Sequence, residues 1–142
     1  MVMNDDLKRS IILEHYEKPL NRGLVNDKNY LKVNVKNESC LDDLTLMVKL
    51  EGDMISDLRF DGEACAISMS ATSIMIKLVL KQRKAVALRI LREYEKMINE
   101  EPYNQDLIGL AVVYNKVYLQ PNRKQCALLP WIALKKILGD DK

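Results

Sequence analysis

Near Cys65 the apolar residues of this chain stop recurring at every second position and begin to recur at every third or fourth. That switch restricts the chain to folds in which a small sheet is built first and helices are laid against it afterwards. On the strand side, Leu31, Val33 and Val35 alternate with Lys32, Asn34 and Lys36, and Leu44, Leu46, Val48 and Leu50 repeat the pattern. Glu51-Gly52-Asp53 reads as a turn into a third run in which Met54, Leu58 and Phe60 share one side, so an antiparallel hairpin is expected. On the helix side, the stretch from Ile67 to Leu80 is apolar almost throughout and predicts one largely buried helix. Val86, Ile90, Tyr94 and Met97 or Ile98 keep helical spacing, with Arg89, Arg92, Glu93 and Lys96 on the opposite, solvated face. Pro102 interrupts the pattern, Leu107 to Tyr114 forms a short apolar segment, and Gln120-Pro121-Asn122 reads as a loop. A last helix is expected from Leu128 to Leu138 with Pro130 in its first turn. One helix precedes the strands, with Leu7, Ile11, Ile12 and Tyr16 at helical spacing, Asp5 or Asp6 as its cap, and Pro19 and Gly23 ending it. The expected fold class is α+β, a small antiparallel three-stranded sheet with helices packed against it.

A length of 142 residues suits one domain, here expected to span residues 1–142, with a core large enough to need no disulfide staples. The 22 basic and 20 acidic residues are interleaved, which leaves no electrostatic footprint for nucleic acid. One Trp and one Phe are too few for a platform on which bases stack. No apolar run approaches the roughly 20 residues that span a bilayer, so no membrane partner is expected. An odd number of cysteines behind a polar, acidic start argues for reduced thiols and a cytoplasmic location.

Those three cysteines, Cys40, Cys65 and Cys126, are each expected at a junction between elements, where functional groups concentrate. Asp42 lies two residues beyond Cys40, close enough for both side chains to reach one centre. Three sulfurs and one carboxylate oxygen are donors that tetrahedral zinc accepts, and thiolate-rich sites also suit iron-sulfur clusters. The plainer reading is that free cysteines are small, usually buried hydrophobes. Polar neighbours such as Ser39, Glu63 and Gln125 speak against it, but with no Cys-x-x-Cys pair the spacing alone leaves both readings open.

Four ordered stretches carry further information. They are His15-Tyr16-Glu17-Lys18-Pro19-Leu20-Asn21-Arg22-Gly23, Ser39-Cys40-Leu41-Asp42, Gly62-Glu63-Ala64-Cys65-Ala66-Ile67-Ser68, and Arg123-Lys124-Gln125-Cys126-Ala127-Leu128-Leu129-Pro130-Trp131. With them the chain resembles, over nearly its whole length, the SufU-type members of the IscU/NifU family of iron-sulfur cluster assembly proteins. The long interval between Cys65 and Cys126, and Gln125 where IscU-type proteins carry a histidine, favour the SufU type. Leu41 and Ala64 stand where the family usually has glycines, and their side chains are expected to stiffen or shift the ligand loops.

The resemblance implies a zinc-dependent sulfur acceptor. A pyridoxal-phosphate (PLP)-dependent cysteine desulfurase would pass persulfide sulfur to Cys40, with Cys40, Asp42, Cys65 and Cys126 as the metal ligands. Downstream, sulfur would go to an iron-sulfur scaffold or to apo-proteins. The chain would then be a sulfur carrier that activates a desulfurase, not a stand-alone enzyme. Arg123 is a candidate supporting cation for an anionic persulfide, and a surface arginine is the plainer reading. His15 is expected to be structural or part of a docking face. Two other readings stay open: a scaffold that assembles an iron-sulfur cluster on the same ligands, and a structural zinc module for protein interaction.

Overall fold

The computed structural model describes residues 3–37 and 41–139. The first helix, α1 (Asp5–Glu17), leads to a sheet of β1 (Tyr30–Asn37), β2 (Asp42–Glu51) and β3 (Met54–Glu63). Four helices follow, α2 (Ala66–Val79), α3 (Lys84–Ile98), α4 (Gln105–Ile108) and α5 (Pro121–Leu138), with two 3-10 turns at Gly109–Tyr114 and Val117–Leu119. The strands run antiparallel in the order β1-β2-β3, which is the α+β architecture that the change of period predicts.

Alternation puts Val35, Leu44, Leu46, Val48, Leu58 and Phe60 into the core, where α2 and α5 cover the sheet. Met54 departs from the expected face because β3 carries a bulge. The pairing passes from Lys49↔Asp57 to Leu50↔Ile55, so Ser56 is the extra residue and Ile55 is the one that becomes fully buried. The carbonyl of Ser56 accepts from Lys81 Nζ at 2.9 Å. The outer edge of β3 is also occupied by loop backbone. Gly23 donates to the Phe60 carbonyl and Phe60 to that of Asn21, while Lys81 donates to the Ile55 carbonyl and Ile55 to that of Gln82.

Gly62 fixes the end of the β2–β3 pair. It lies opposite Leu44 with φ +144°, and a Cβ there would sit 2.0 Å from the Asp43 carbonyl oxygen. Only glycine allows that approach.

Helix α2 is buried continuously from Ser68 to Ile76, as its nearly all-apolar sequence demands. α3 buries Ala87, Leu88, Ile90, Leu91, Tyr94, Met97 and Ile98 and leaves Arg89, Arg92 and Lys96 outside. Tyr94 stacks on Trp131 of α5 with ring centroids 4.8 Å apart, and its hydroxyl donates to the Ala127 carbonyl at 2.8 Å. At the start of α1 the cap is Asn4, whose Oδ1 accepts from the Leu7 amide at 2.8 Å. Asp5 and Asp6, read as caps from the sequence, lie inside the first turn, where their charge favours the helix dipole.

The largest departure from the sequence reading is α5. It starts at Pro121, whose ring suits the first helical position, and takes in the segment expected to be a loop. Pro130 therefore lies inside the helix and not in its first turn.

Candidate metal centre

Three elements each bring one donor to the same place. Asp42 is the first residue of β2, Cys65 is the N-cap of α2, and Cys126 lies in the second turn of α5. The β2–β3 register pairs Asp43 with Glu63, which sets Asp42 beside the short link from β3 into α2. One donor atom from each of Asp42, Cys65 and Cys126 falls within 4.8 Å of the other two. Cys40, expected as the fourth ligand, lies outside the described residues.

Asp42 is 2% exposed and both of its oxygens are held. Oδ1 accepts from the Cys65 amide at 2.8 Å, and Oδ2 accepts from the Ser68 hydroxyl at 2.7 Å. Cys65 Sγ lies 3.7 Å from Asp42 Oδ2 and accepts from the Ser68 amide at 3.5 Å, so the N-terminus of α2 points at that sulfur. Cys126 is fully buried; its Sγ accepts from Asn37 Nδ2 at 3.5 Å and lies 3.6 Å from the Asn122 carbonyl. The sequence expectation of a junction thus holds for Cys65, while Cys126 sits within a helix.

The residues present fit a tetrahedral metal of the zinc class. Donors about 2.0–2.3 Å from such an ion lie roughly 3.3–3.8 Å from one another. The pair formed by Cys65 Sγ and Asp42 Oδ2, at 3.7 Å, is already at that separation. Two sulfurs and a carboxylate oxygen, with backbone and hydroxyl donors fixing their orientation, make the donor set and surroundings that metal sites use.

Ser68 and Pro130 belong to this site although the sequence reading gave them no part in it. Proline has no amide hydrogen, so the carbonyl four residues earlier, that of Cys126, has no N–H of residue 130 to accept. The Ser68 hydroxyl lies 2.9 Å from that oxygen and replaces the missing donor. In turn the Ser68 carbonyl accepts from Thr72 Oγ1 at 2.7 Å. A signal for Ser68 exists in the sequence, since the residue three places after an N-cap donates its amide to the cap. Asn37 carries no such signal, because it reaches Cys126 only through the tertiary fold, whereas Asn122 lies four residues before Cys126 on the same helix.

The structure also describes the other residues singled out in the sequence. Arg123 is exposed in the first turn of α5 and lines a cleft with Lys8, Arg9 and Lys116. His15 is buried between α1 and α2, with Nδ1 2.7 Å from Ser73 Oγ, and burial with the nearby Lys77 charge lowers its pKa below 6.5. Leu41 adopts φ +56° and is 89% exposed, whereas Ala64 is not among the residues with positive φ. Of the two replaced glycines, only that at Leu41 occupies a backbone conformation that favours glycine.

Comparison with known proteins places these features among relatives. The model of the family described as the NifU-like N terminal domain matches residues 7–138. The zinc-dependent sulfurtransferase SufU of Bacillus subtilis (strain 168) is 34% identical over 133 residues, covering 93% of this chain and 89% of that protein. The iron-sulfur cluster assembly scaffold protein IscU of Thermotoga maritima is 28% identical over 127 residues, 89% of each chain. The crystal structure of FiSufU from Fervidobacterium islandicum AW-1 superposes with a TM-score of 0.84 at 30% identity, covering 91% of this chain and 94% of that one.

Proposed function

This chain belongs to the NifU-like N-terminal domain family, and on that premise we propose that it is a zinc-dependent sulfur acceptor in iron-sulfur cluster biogenesis, supplied by a PLP-dependent cysteine desulfurase. One observation carries the reading: Asp42, Cys65 and Cys126, from three separate stretches of sequence, bring their donor atoms within 4.8 Å of one another. The similarity to the Bacillus subtilis zinc-dependent sulfurtransferase supports the choice of metal and of reaction.

Asp42, Cys65 and Cys126 would hold the ion, with Cys40 as the fourth ligand. Bound zinc supplies a redox-inert positive charge that keeps cysteine sulfurs in the thiolate form. Cys40 is the acceptor. Its thiolate attacks the terminal sulfur of a persulfide on the donor enzyme. A new sulfur-sulfur bond forms at Cys40 as the bond in the donor breaks, and the donor cysteine leaves with the electron pair as a thiolate. Sulfane sulfur changes hands without net oxidation or reduction. Asp42 takes no part in bond making; the amide of Cys65 and the hydroxyl of Ser68 fix its carboxylate in orientation. The buried sulfur of Cys126 is held back from attack, while Cys65 is only partly buried.

The test is desulfurase turnover with and without this chain, together with elemental analysis of the purified protein. One zinc per chain and stimulated turnover are expected. Cys40→Ser should abolish the stimulation while the circular dichroism spectrum stays that of the wild type. Full stimulation by Cys40→Ser would remove Cys40 as the acceptor. A brown protein that hands a cluster to an apo-protein would replace this reading with a scaffold, and zinc without any effect on turnover would leave an interaction module.

A further inference from the structure

Resting on that metal-centre reading, we propose that Ser68 is a positioning residue for Asp42, and that Pro130 makes the Ser68 hydroxyl a link through which α5 and the ligand carboxylate constrain each other. Ser68 has one hydroxyl hydrogen and two acceptors, Asp42 Oδ2 at 2.7 Å and the Cys126 carbonyl at 2.9 Å. It is fully buried, as is Cys126, and Asp42 is nearly so, which leaves little access for water to serve either acceptor. The second acceptor is available because residue 130 is proline. An amide hydrogen at position 130 would serve the Cys126 carbonyl within the helix and leave the hydroxyl to Asp42 alone.

The arrangement joins two metal ligands through one hydrogen. When α5 sits so that the Cys126 carbonyl reaches Ser68, the Cys126 sulfur and the Asp42 carboxylate are set relative to each other by the same side chain. Cys65 is tied in as well, since its amide holds the other Asp42 oxygen and its sulfur accepts from the Ser68 amide. Ser68 thus orients all three donors without being one, a role whose loss commonly lowers metal affinity by about 10- to 100-fold.

Removing the hydroxyl also takes a donor away from the Cys126 carbonyl, so a plain Ser68→Ala substitution mixes a structural effect with a positioning one. Pro130→Ala separates them by giving that carbonyl an amide partner. Four proteins would be compared: wild type, Ser68→Ala, Pro130→Ala and the double variant. The readouts are the thermal midpoint without metal, the affinity for Co2+ and Zn2+ by chelator competition, and the visible spectrum of the Co2+ form. Ser68→Ala should lower the midpoint and weaken both affinities about 10- to 100-fold, with a shifted Co2+ spectrum. In the double variant the midpoint should rise above that of Ser68→Ala, because the Cys126 carbonyl regains a donor, and stay below that of Pro130→Ala, because the bond to Asp42 is still missing, while the affinity loss persists. Double-variant affinity equal to wild type would make Ser68 merely structural, and unchanged affinity in Ser68→Ala would overturn the proposal outright. A wild type that binds neither ion would instead overturn the metal-centre reading.

Discussion

Leu41 carries a left-handed backbone at φ +56° with its side chain in solvent, so its isobutyl group gains almost no burial to offset the conformational cost. Such a conformation costs a residue with a Cβ roughly 1–2 kcal/mol, part of which glycine gives back through its freer unfolded state. Leu41→Gly should therefore raise the free energy of unfolding by up to about 1 kcal/mol, read as a higher denaturant midpoint at unchanged slope. At this scale the sequence was partly legible. Leu41 and Ala64 both stand out as departures from a glycine pattern, but only the backbone tells them apart. Cys65 and Asp42 were singled out by the resemblance, spacing alone having left their role open, whereas the part Asn37 plays at Cys126 depends on which strand end meets which helix.

Between elements, the contact of α3 with α5 shows what local patterns leave out. The spacing of Val86, Ile90 and Tyr94 predicts the inward face of α3, and that face is buried or partly buried. Nothing near Tyr94 says that its hydroxyl will meet the Ala127 carbonyl, one residue beyond the carbonyl that Ser68 serves. Tyr94→Phe keeps the stacking on Trp131 and deletes only that donor, so it should cost about 1–3 kcal/mol, measured by chemical denaturation. The same reasoning explains why α5 begins seven residues before the position expected from Leu128. A proline in the chain reads as a boundary because its missing amide and its ring oppose a continuous helix. Here the compensating donor lies on α2, beyond the range of any local rule. The bulge at Ser56 has a similar origin, since Lys81 from the turn after α2 serves its carbonyl.

For the molecule as a whole, the order of strands and helices was readable from the change of period alone, because each period must bury its face against the other. Among the described residues no helix is long and apolar enough to cross a membrane. His15 joins α1 to α2 and couples the fold to acidity. Nδ1 of the ring lies 2.7 Å from Ser73 Oγ, which accepts from the Leu20 amide. Its pKa is lowered from 6.5 first by burial and then by the charge of Lys77, so the folded chain resists protonation more than the unfolded chain does. The stabilisation this confers is complete above pH 6.5 and is lost as the pH falls from there through the lower folded value. Thermal midpoints of wild type and His15→Gln, followed from about pH 7.5 to about pH 5, should show the wild type losing ground to the variant on the acid side.

Sheet edges are where unrelated chains recruit one another. With the outer side of β3 occupied by backbone from the segments around Asn21–Gly23 and Lys81–Gln82, a foreign strand finds most of its hydrogen-bonding groups already engaged. An incoming strand would have to add alongside β1, whose exposed Lys32 and Lys36 place charge along that border. Like-charged lysines disfavour a second copy approaching there, so the fold guards itself against growth into fibrils by geometry on one side and by repulsion on the other.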